Sequence, residues 1–152
     1  MTTMTAQTTQ VYQVFVKASP EAIWEAITKP EFTRRYFYGT ALATTLEPGT
    51  AFDFHYADGS GLAVEGSVVE SDPPRRLVHT WHALYTPELA AEPHSRVTWE
   101  IEPQEEGYSL LTVAHDRLES SPKTAEGVSG TGWMYVLSAL KTLLETGRPL
   151  AD

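Results

Sequence analysis

Apolar residues in the last part of the chain fall on one helical stripe. From Thr131 to Gly147 they occupy Trp133, Val136, Leu137, Leu140, Leu143 and Leu144. That is the i, i+3, i+4, i+7 spacing of an amphipathic helix with a single buried face. Gly147 suits a left-handed position just past the last turn, and Pro149 cannot extend a helix, so this one is expected to stop there. Lys141 and Thr142 fall on the opposite side. So apolar a stripe needs a broad partner surface, and only the strands before it can supply one.

Most of the preceding pattern has period two. Val11 to Lys17 is β-branched and aromatic enough for a first strand. Ser19-Pro20 then starts a short helix, a hydroxyl cap followed by proline at the first helical position, with Ile23, Trp24 and Ile27 as its buried face. Pro30 interrupts it, and Phe32, Tyr36 and Phe37 predict a second short helix running into a loop at Gly39. Phe52, Phe54 and Tyr56 alternate with Asp53 and His55 as a half-buried strand. Asp58-Gly59 is a turn signal, and Leu62 to Glu70 is its hairpin partner, ended by Asp72-Pro73-Pro74. Further strands follow at Leu77 to Leu84, Val97 to Glu102 and Leu110 to His115, with polar connections at 85–94 and 119–126. The expected order is one strand, two short helices, six further strands, five of them placed by the segments above, and a long helix. Short turns between consecutive strands imply antiparallel pairing, giving an α+β fold with helices on one face.

Four segments in this order resemble a known family: ASPEAIWEAITKPE near the start, EGSVVESDPPRRLVHTW in the middle, RVTWEI followed by a turn and LLTVAHDRL, and GWMYVLSALKTLLETG at the end. Together they are similar to the SRPBCC superfamily (START-like, helix-grip fold), and within it to the branch of the heat-shock-protein-90 ATPase activator homologues. The resemblance runs from Val11 to Gly147. It implies a seven-stranded antiparallel sheet wrapped around a long C-terminal helix, with a cavity between them. It also implies three kinds of activity found in the superfamily: binding of hydrophobic small molecules, polyketide cyclisation, and stimulation of a chaperone through protein contacts. The branch has no shared catalytic signature to carry over.

Composition narrows the function classes. A chain of 152 residues with 41% hydrophobic content can bury a core, so one folded domain is expected over 11–150 behind a frayed polar tail at 1–10. A net charge of −9 disfavours nucleic-acid binding and adhesion to anionic membranes, which need basic surfaces. The absence of cysteine removes disulfides, thiolate nucleophiles and cysteine-zinc sites. The first residues lack the basic and apolar regions of a secretory signal, and no run is long and apolar enough to span a bilayer. A cytoplasmic protein without membrane insertion is the expectation.

The candidate chemistry is sparse. His79 and His82 look like a metal pair, but strand residues three apart point to opposite faces, and no metal-binding spacing occurs elsewhere, so neither a metal site nor a cofactor is expected. His55 shares parity with Asp53 and is expected to face solvent. His79 and His115 share parity with apolar neighbours and face the concave side, either as satisfied core histidines or as polar anchors within a cavity. Burial would keep both neutral. The aromatic residues Phe52, Phe54, Tyr56, Trp81, Trp99 and Trp133, with Leu137, complete the expected cavity wall, and Tyr56 or Tyr135 could help orient a ligand. Gly127 to Gly132 (GVSGTG) mimics a phosphate loop but lacks its lysine, and Ser129 lacks a nucleophile-elbow frame. No catalytic residue is assigned. The leading expectation is a binder of an apolar small molecule held between sheet and helix. The alternatives are a cyclase- or dehydrase-type enzyme, or an interaction module acting as a chaperone cofactor or homodimer, with the segment from Leu84 to Pro93 as contact surface or lid.

Overall fold

Extended, alternating segments and capped amphipathic ones divide the molecule into a curved sheet and the helices it holds. The computed structural model describes residues 8–129 and 132–151. Most of the expected tail, the Thr131 start of the closing helix and part of the GVSGTG segment therefore lie outside the described residues.

Strand β1 (Gln10–Val16) begins at the last residue of the expected tail. Helix α1 (Pro20–Thr28) starts as its sequence dictates: Ser19 Oγ accepts from the Ala22 N–H at 3.2 Å, and Pro20 occupies the first turn. Helix α2 (Pro30–Tyr36) follows at once. The Tyr36 hydroxyl donates to the Ala26 carbonyl at 2.6 Å and fixes the two short helices to each other.

Strands β2 (Ala41–Thr44), β3 (Phe52–His55), β4 (Leu62–Glu65), β5 (Val68–Asp72) and β6 (Arg76–Ala83) come next. The sheet has eight strands, against the expected seven, of which six were placed by residue range. One reason is β2, four residues too short to show an alternation. The other is Gly66, where the expected strand 62–70 breaks. A Cβ there would sit 2.2 Å from the Thr80 carbonyl oxygen, so only glycine lets the chain pass. Beyond the break the Thr80 hydroxyl accepts from the Ser67 N–H at 2.8 Å. As a result β4 pairs with the end of β6 (Glu65 opposite His82) and β5 with its beginning (Val68 opposite His79).

The connection expected as loop at 85–94 contains a single helical turn, α3 (Pro87–Ala90), capped by Thr86 Oγ1 on the Leu89 N–H. Strands β7 (Ser95–Pro103) and β8 (Ser109–Asp116) then complete the sheet in the order β1-β8-β7-β6-β4-β3-β2, antiparallel throughout. The connection at 119–126 also holds a helix, α4 (Pro122–Val128). Its first N–H groups are capped from a distance: the Glu92 carboxylate accepts from Lys123 N and Thr124 N, both at 2.8 Å.

Helix α5 (Gly132–Thr146) closes the fold on the stripe read from sequence, burying Trp133, Val136, Leu137, Leu140 and Leu143. It ends at Gly147, whose φ of 75° is the left-handed stop. The polar side of α5 also has a structural task. Lys141 Nζ donates to the Phe15 carbonyl at 2.7 Å, and the Glu145 carboxylate accepts from the Lys17 N–H at 2.8 Å. These bonds cover the C-terminal end of β1, part of an edge that an unpaired strand would otherwise offer to another chain.

Candidate functional site

The sheet and α5 diverge toward one end and leave a cavity of about 330 Å³. Its floor is aromatic. Trp81 comes from β6, Phe54 from β3 and Trp133 from the first turn of α5, with Val136 one turn on. The Trp81 and Trp133 ring centres are 5.7 Å apart. Phe37, at the end of α2, stacks on Phe54 with centroids 4.5 Å apart, so the helix pair meets the sheet through this contact. Ala63 and Val64 of β4 and Val128 of α4 add small apolar surface. Gly127 and Gly132 stand where the chain passes between α4 and α5. A Cβ on Gly127 would meet nothing within 4 Å, whereas one on Gly132 would press on the Gly127 carbonyl at 2.9 Å.

The rim consists of tyrosines. Tyr38, Tyr56 and Tyr85 line the opening and stay partly exposed. Tyr38 holds a left-handed backbone (φ 51°), uncommon for an aromatic residue, and its ring stacks on Tyr135 at 5.2 Å. Burial raises the Tyr85 phenol above its ordinary range, and the neighbouring Tyr38 and Tyr56 raise it further. The Tyr85 phenol is thus a neutral group able to donate and accept hydrogen bonds. Inside, one polar group is unspent. Among the described residues, the Trp81 indole N–H is the one buried side-chain nitrogen or oxygen without a hydrogen-bond partner. Thr40, also in the wall, spends its hydroxyl on the Phe37 carbonyl at 2.6 Å.

The two inward histidines lie beneath this cavity, in solid packing. His79 Nδ1 donates to the Thr80 carbonyl at 2.9 Å, and Nε2 accepts from the Trp99 indole at 3.0 Å. Phe52 stacks on its ring at 3.9 Å. His115 Nδ1 accepts from the Trp133 indole at 3.1 Å, which leaves Nε2–H to donate to Ser95 Oγ at 2.7 Å. Every ring nitrogen has a partner. Burial lowers His79 to about 4 against the backbone hydrogen bond to Thr80. Burial lowers His115 to about 3, helped by His79 and opposed by Asp116. Both are neutral and internally satisfied, so neither is free to move a proton to a ligand.

Of the residues singled out from sequence, Phe54, Tyr56, Trp81 and Trp133 stand together in the cavity wall. Phe52, His79, Trp99, His115 and Leu137 lie in the packed layer and are not among the lining residues. The sequence reading did not single out Phe37, Tyr38 or Tyr85 for the cavity. Phe37 and Tyr38 belong to the run Tyr36-Phe37-Tyr38-Gly39, where consecutive aromatic residues before a glycine are hard to place on one helical face. That misfit is the signal that could have marked them. Tyr85 sits in a polar connection with no such mark.

The family model described as "Activator of Hsp90 ATPase homolog 1-like protein" matches residues 17–145. No curated protein matches the chain in sequence. Among solved structures, protein MLL2253 from Mesorhizobium loti is 22% identical, with 90% of this chain and 96% of that one covered at a TM-score of 0.73. An HSP90 activator from Plasmodium falciparum, PFC0360w, is 20% identical over 94% of this chain and 99% of its own, at 0.72. The Aha1 dimer from Colwellia psychrerythraea is 17% identical over 93% and 98%, also at 0.72. At these identities the likeness is one of fold, and the fold is the helix grip described above.

Proposed function

Because the chain belongs to the activator of Hsp90 ATPase homolog 1-like family, in the SRPBCC superfamily, we propose that it uses the helix-grip cavity to bind a hydrophobic small molecule carrying one hydrogen-bond acceptor. The observation that carries this reading is the unpaired Trp81 N–H in an otherwise apolar wall. A buried donor without a partner costs about 1–3 kcal/mol, and a ligand carbonyl or ether oxygen would recover it. Apolar contact with Phe37, Phe54, Val128, Trp133 and Val136 would supply most of the affinity, at roughly 25 cal/mol per Å² before association costs. Tyr38, Tyr56 and Tyr85 would close over the ligand and accept or donate at its outer end. The volume sits at the small end of ligand pockets, about 300–1,000 Å³.

Two ligands of matched shape test the reading. 2-Acetylnaphthalene carries a carbonyl where 2-ethylnaphthalene carries a methylene. The ketone should bind about three- to tenfold more tightly, the worth of one net hydrogen bond, and Trp81→Phe should erase the difference. Quenching of tryptophan fluorescence reads both. If neither compound binds, and native mass spectrometry of freshly purified protein shows no retained small molecule, the proposal fails.

The family's description and the HSP90 activator among the similar structures favour a second reading, a chaperone contact, with or without a homodimer. It makes a separate demand. The protein should raise the ATPase rate of a purified heat-shock-protein-90 chaperone, and an unchanged rate at saturation removes it. An enzyme of cyclase type finds less support, since both buried histidines are committed to structural bonds.

A further inference from the structure

On the outer face of the sheet, back to back with the cavity, three side chains converge. Glu65 of β4 stands directly opposite His82 of β6. His82 Nδ1 lies 2.7 Å from Glu65 Oε1, and His94 Nε2, from the residue just before β7, lies 3.8 Å from the same oxygen. The two imidazoles stack with centroids 4.5 Å apart and an interplanar angle of 25°. One ligand atom from each of the three lies within 4.8 Å of the others. Among the described residues this is the one such group of metal-ligating side chains.

The bonding of His82 shows that the group is more than proximity. Its Nε2 faces the Ala90 carbonyl at 2.9 Å and its Nδ1 faces a carboxylate. Both partners only accept. A neutral imidazole has one N–H, so it can satisfy one of them and turns a lone pair on the other. With the proton on Nε2, donated to Ala90, the Nδ1 lone pair points at Glu65, and a cation between them, a second proton or a metal ion, would resolve the conflict. This is also how metal-binding histidines are held: the second ring nitrogen donates to a backbone carbonyl, which fixes tautomer and ring plane.

We propose that Glu65 Oε1, His82 Nδ1 and His94 Nε2 bind a divalent first-row transition ion of the zinc class. Two imidazoles and a carboxylate, without thiolates, suit zinc and its neighbours rather than magnesium or calcium, which prefer oxygen ligands alone. Tetrahedral ligands at bonds of about 2.0–2.2 Å stand roughly 3.3 Å apart. The observed 2.7 and 3.8 Å separations to Glu65 bracket that value. Because the two rings stack, binding requires the half-exposed His94 ring to turn until its Nε2 lone pair meets that of His82. Three protein ligands leave a fourth position open, as in sites that hold water or an exchangeable group. His94 ends the 85–94 segment that carries Tyr85 at the cavity rim, and His82 and Glu65 are sheet residues. A bound ion would tie that segment to the sheet whether or not the cavity binds a ligand. The sequence suggested no such site because the HTWH pair is misleading. His79 does point inward, and the partners of His82 come from a neighbouring strand and from the end of the connection that follows β6.

The test is calorimetric titration of tag-free protein with Zn²⁺ near pH 7.5, paired with visible spectroscopy of the Co²⁺ form. A single ion per chain is expected, with the strong visible bands of four-coordinate Co²⁺. His94→Ala and Glu65→Gln should each weaken binding at least about tenfold. His55→Ala, at an exposed histidine outside the group, should leave it unchanged. His94 and Glu65 are both partly exposed, and thermal melts confirm that the variants fold. Absence of binding at one ion per chain overturns the proposal. So does binding that survives in the Glu65→Gln, His94→Ala double variant.

Discussion

Trp133 donates its indole N–H to Nδ1 of His115 at 3.1 Å, joining the first turn of α5 to strand β8. One layer over, Trp99 makes the same donation to His79 at 3.0 Å. Two indole–imidazole pairs thus fasten a buried polar network within an apolar interior. On one side of them the core is solid. On the other, Trp81 keeps its own N–H unpaired and the cavity begins.

These pairs set a pH dependence. Both histidines are held below the ordinary value of 6.5, at about 4 and about 3. Between pH 6.5 and 4 the unfolded chain takes up protons that the folded one refuses, so stability falls as pH falls through that window. Each histidine contributes a slope of roughly 1 kcal/mol per pH unit, and the two together roughly twice that. Urea unfolding at several pH values should show this slope. His79→Gln should remove about half of it, and a flat profile above pH 4 would contradict the neutral, buried assignment.

Trp133 and Trp81 should respond differently to the same substitution. Trp133→Phe leaves His115 Nδ1 buried without a donor and opens space beside it, at a cost of about 2–4 kcal/mol. Trp81→Phe breaks no hydrogen bond in the folded protein, so its cost should be only that of the lost ring, about 1–2 kcal/mol. Denaturant midpoints of the two variants compare them directly.

Two glycines should take alanine with opposite results. At Gly66 the new Cβ would lie 2.2 Å from the Thr80 carbonyl, and the sheet must shift, costing about 3 kcal/mol. Gly127 sits in α4 with open space beside it, so Gly127→Ala should stabilise by about 0.5–1 kcal/mol through helix propensity. Thermal melts decide both.

A larger side chain at the second position tests the cavity. Gly127 is among the residues lining the cavity, as are Tyr56, Tyr85 and Val128, so Gly127→Leu adds a bulky side chain at its edge. It should leave the melting temperature within a few degrees of the parent, as a change of about 1 kcal/mol does in a chain this size. It should also abolish fluorescence quenching by 2-acetylnaphthalene. Retained quenching would place the ligand elsewhere.

The fold was largely legible because its signals are local. Ser19-Pro20 writes a helix start, Gly147 a helix stop, and the α5 stripe repeats at helical spacing, each needing only a few neighbouring residues to be read. Even the missed turns α3 and α4 have proline after a hydroxyl residue, at Thr86-Pro87 and Ser121-Pro122. The strand break at Gly66 was not legible, because the reason for glycine there is a carbonyl fourteen residues away.

By itself the sequence determined which faces are apolar, and hence that a helix must lie against an antiparallel sheet with His79 and His115 turned inward. Parity along a strand is a property of the backbone, so it survives any tertiary arrangement. Where the interior is full and where it is hollow was decided only by the tertiary structure. Parity puts Phe52 and Phe54 on the same face, yet one is stacked on His79 and the other lines the cavity. That difference depends on how far α5 and α2 stand from each strand. The same holds for Glu65, His82 and His94, which meet because strand register and a loop bring them together. Contacts of that kind are fixed by packing distance, which no local pattern of residues encodes.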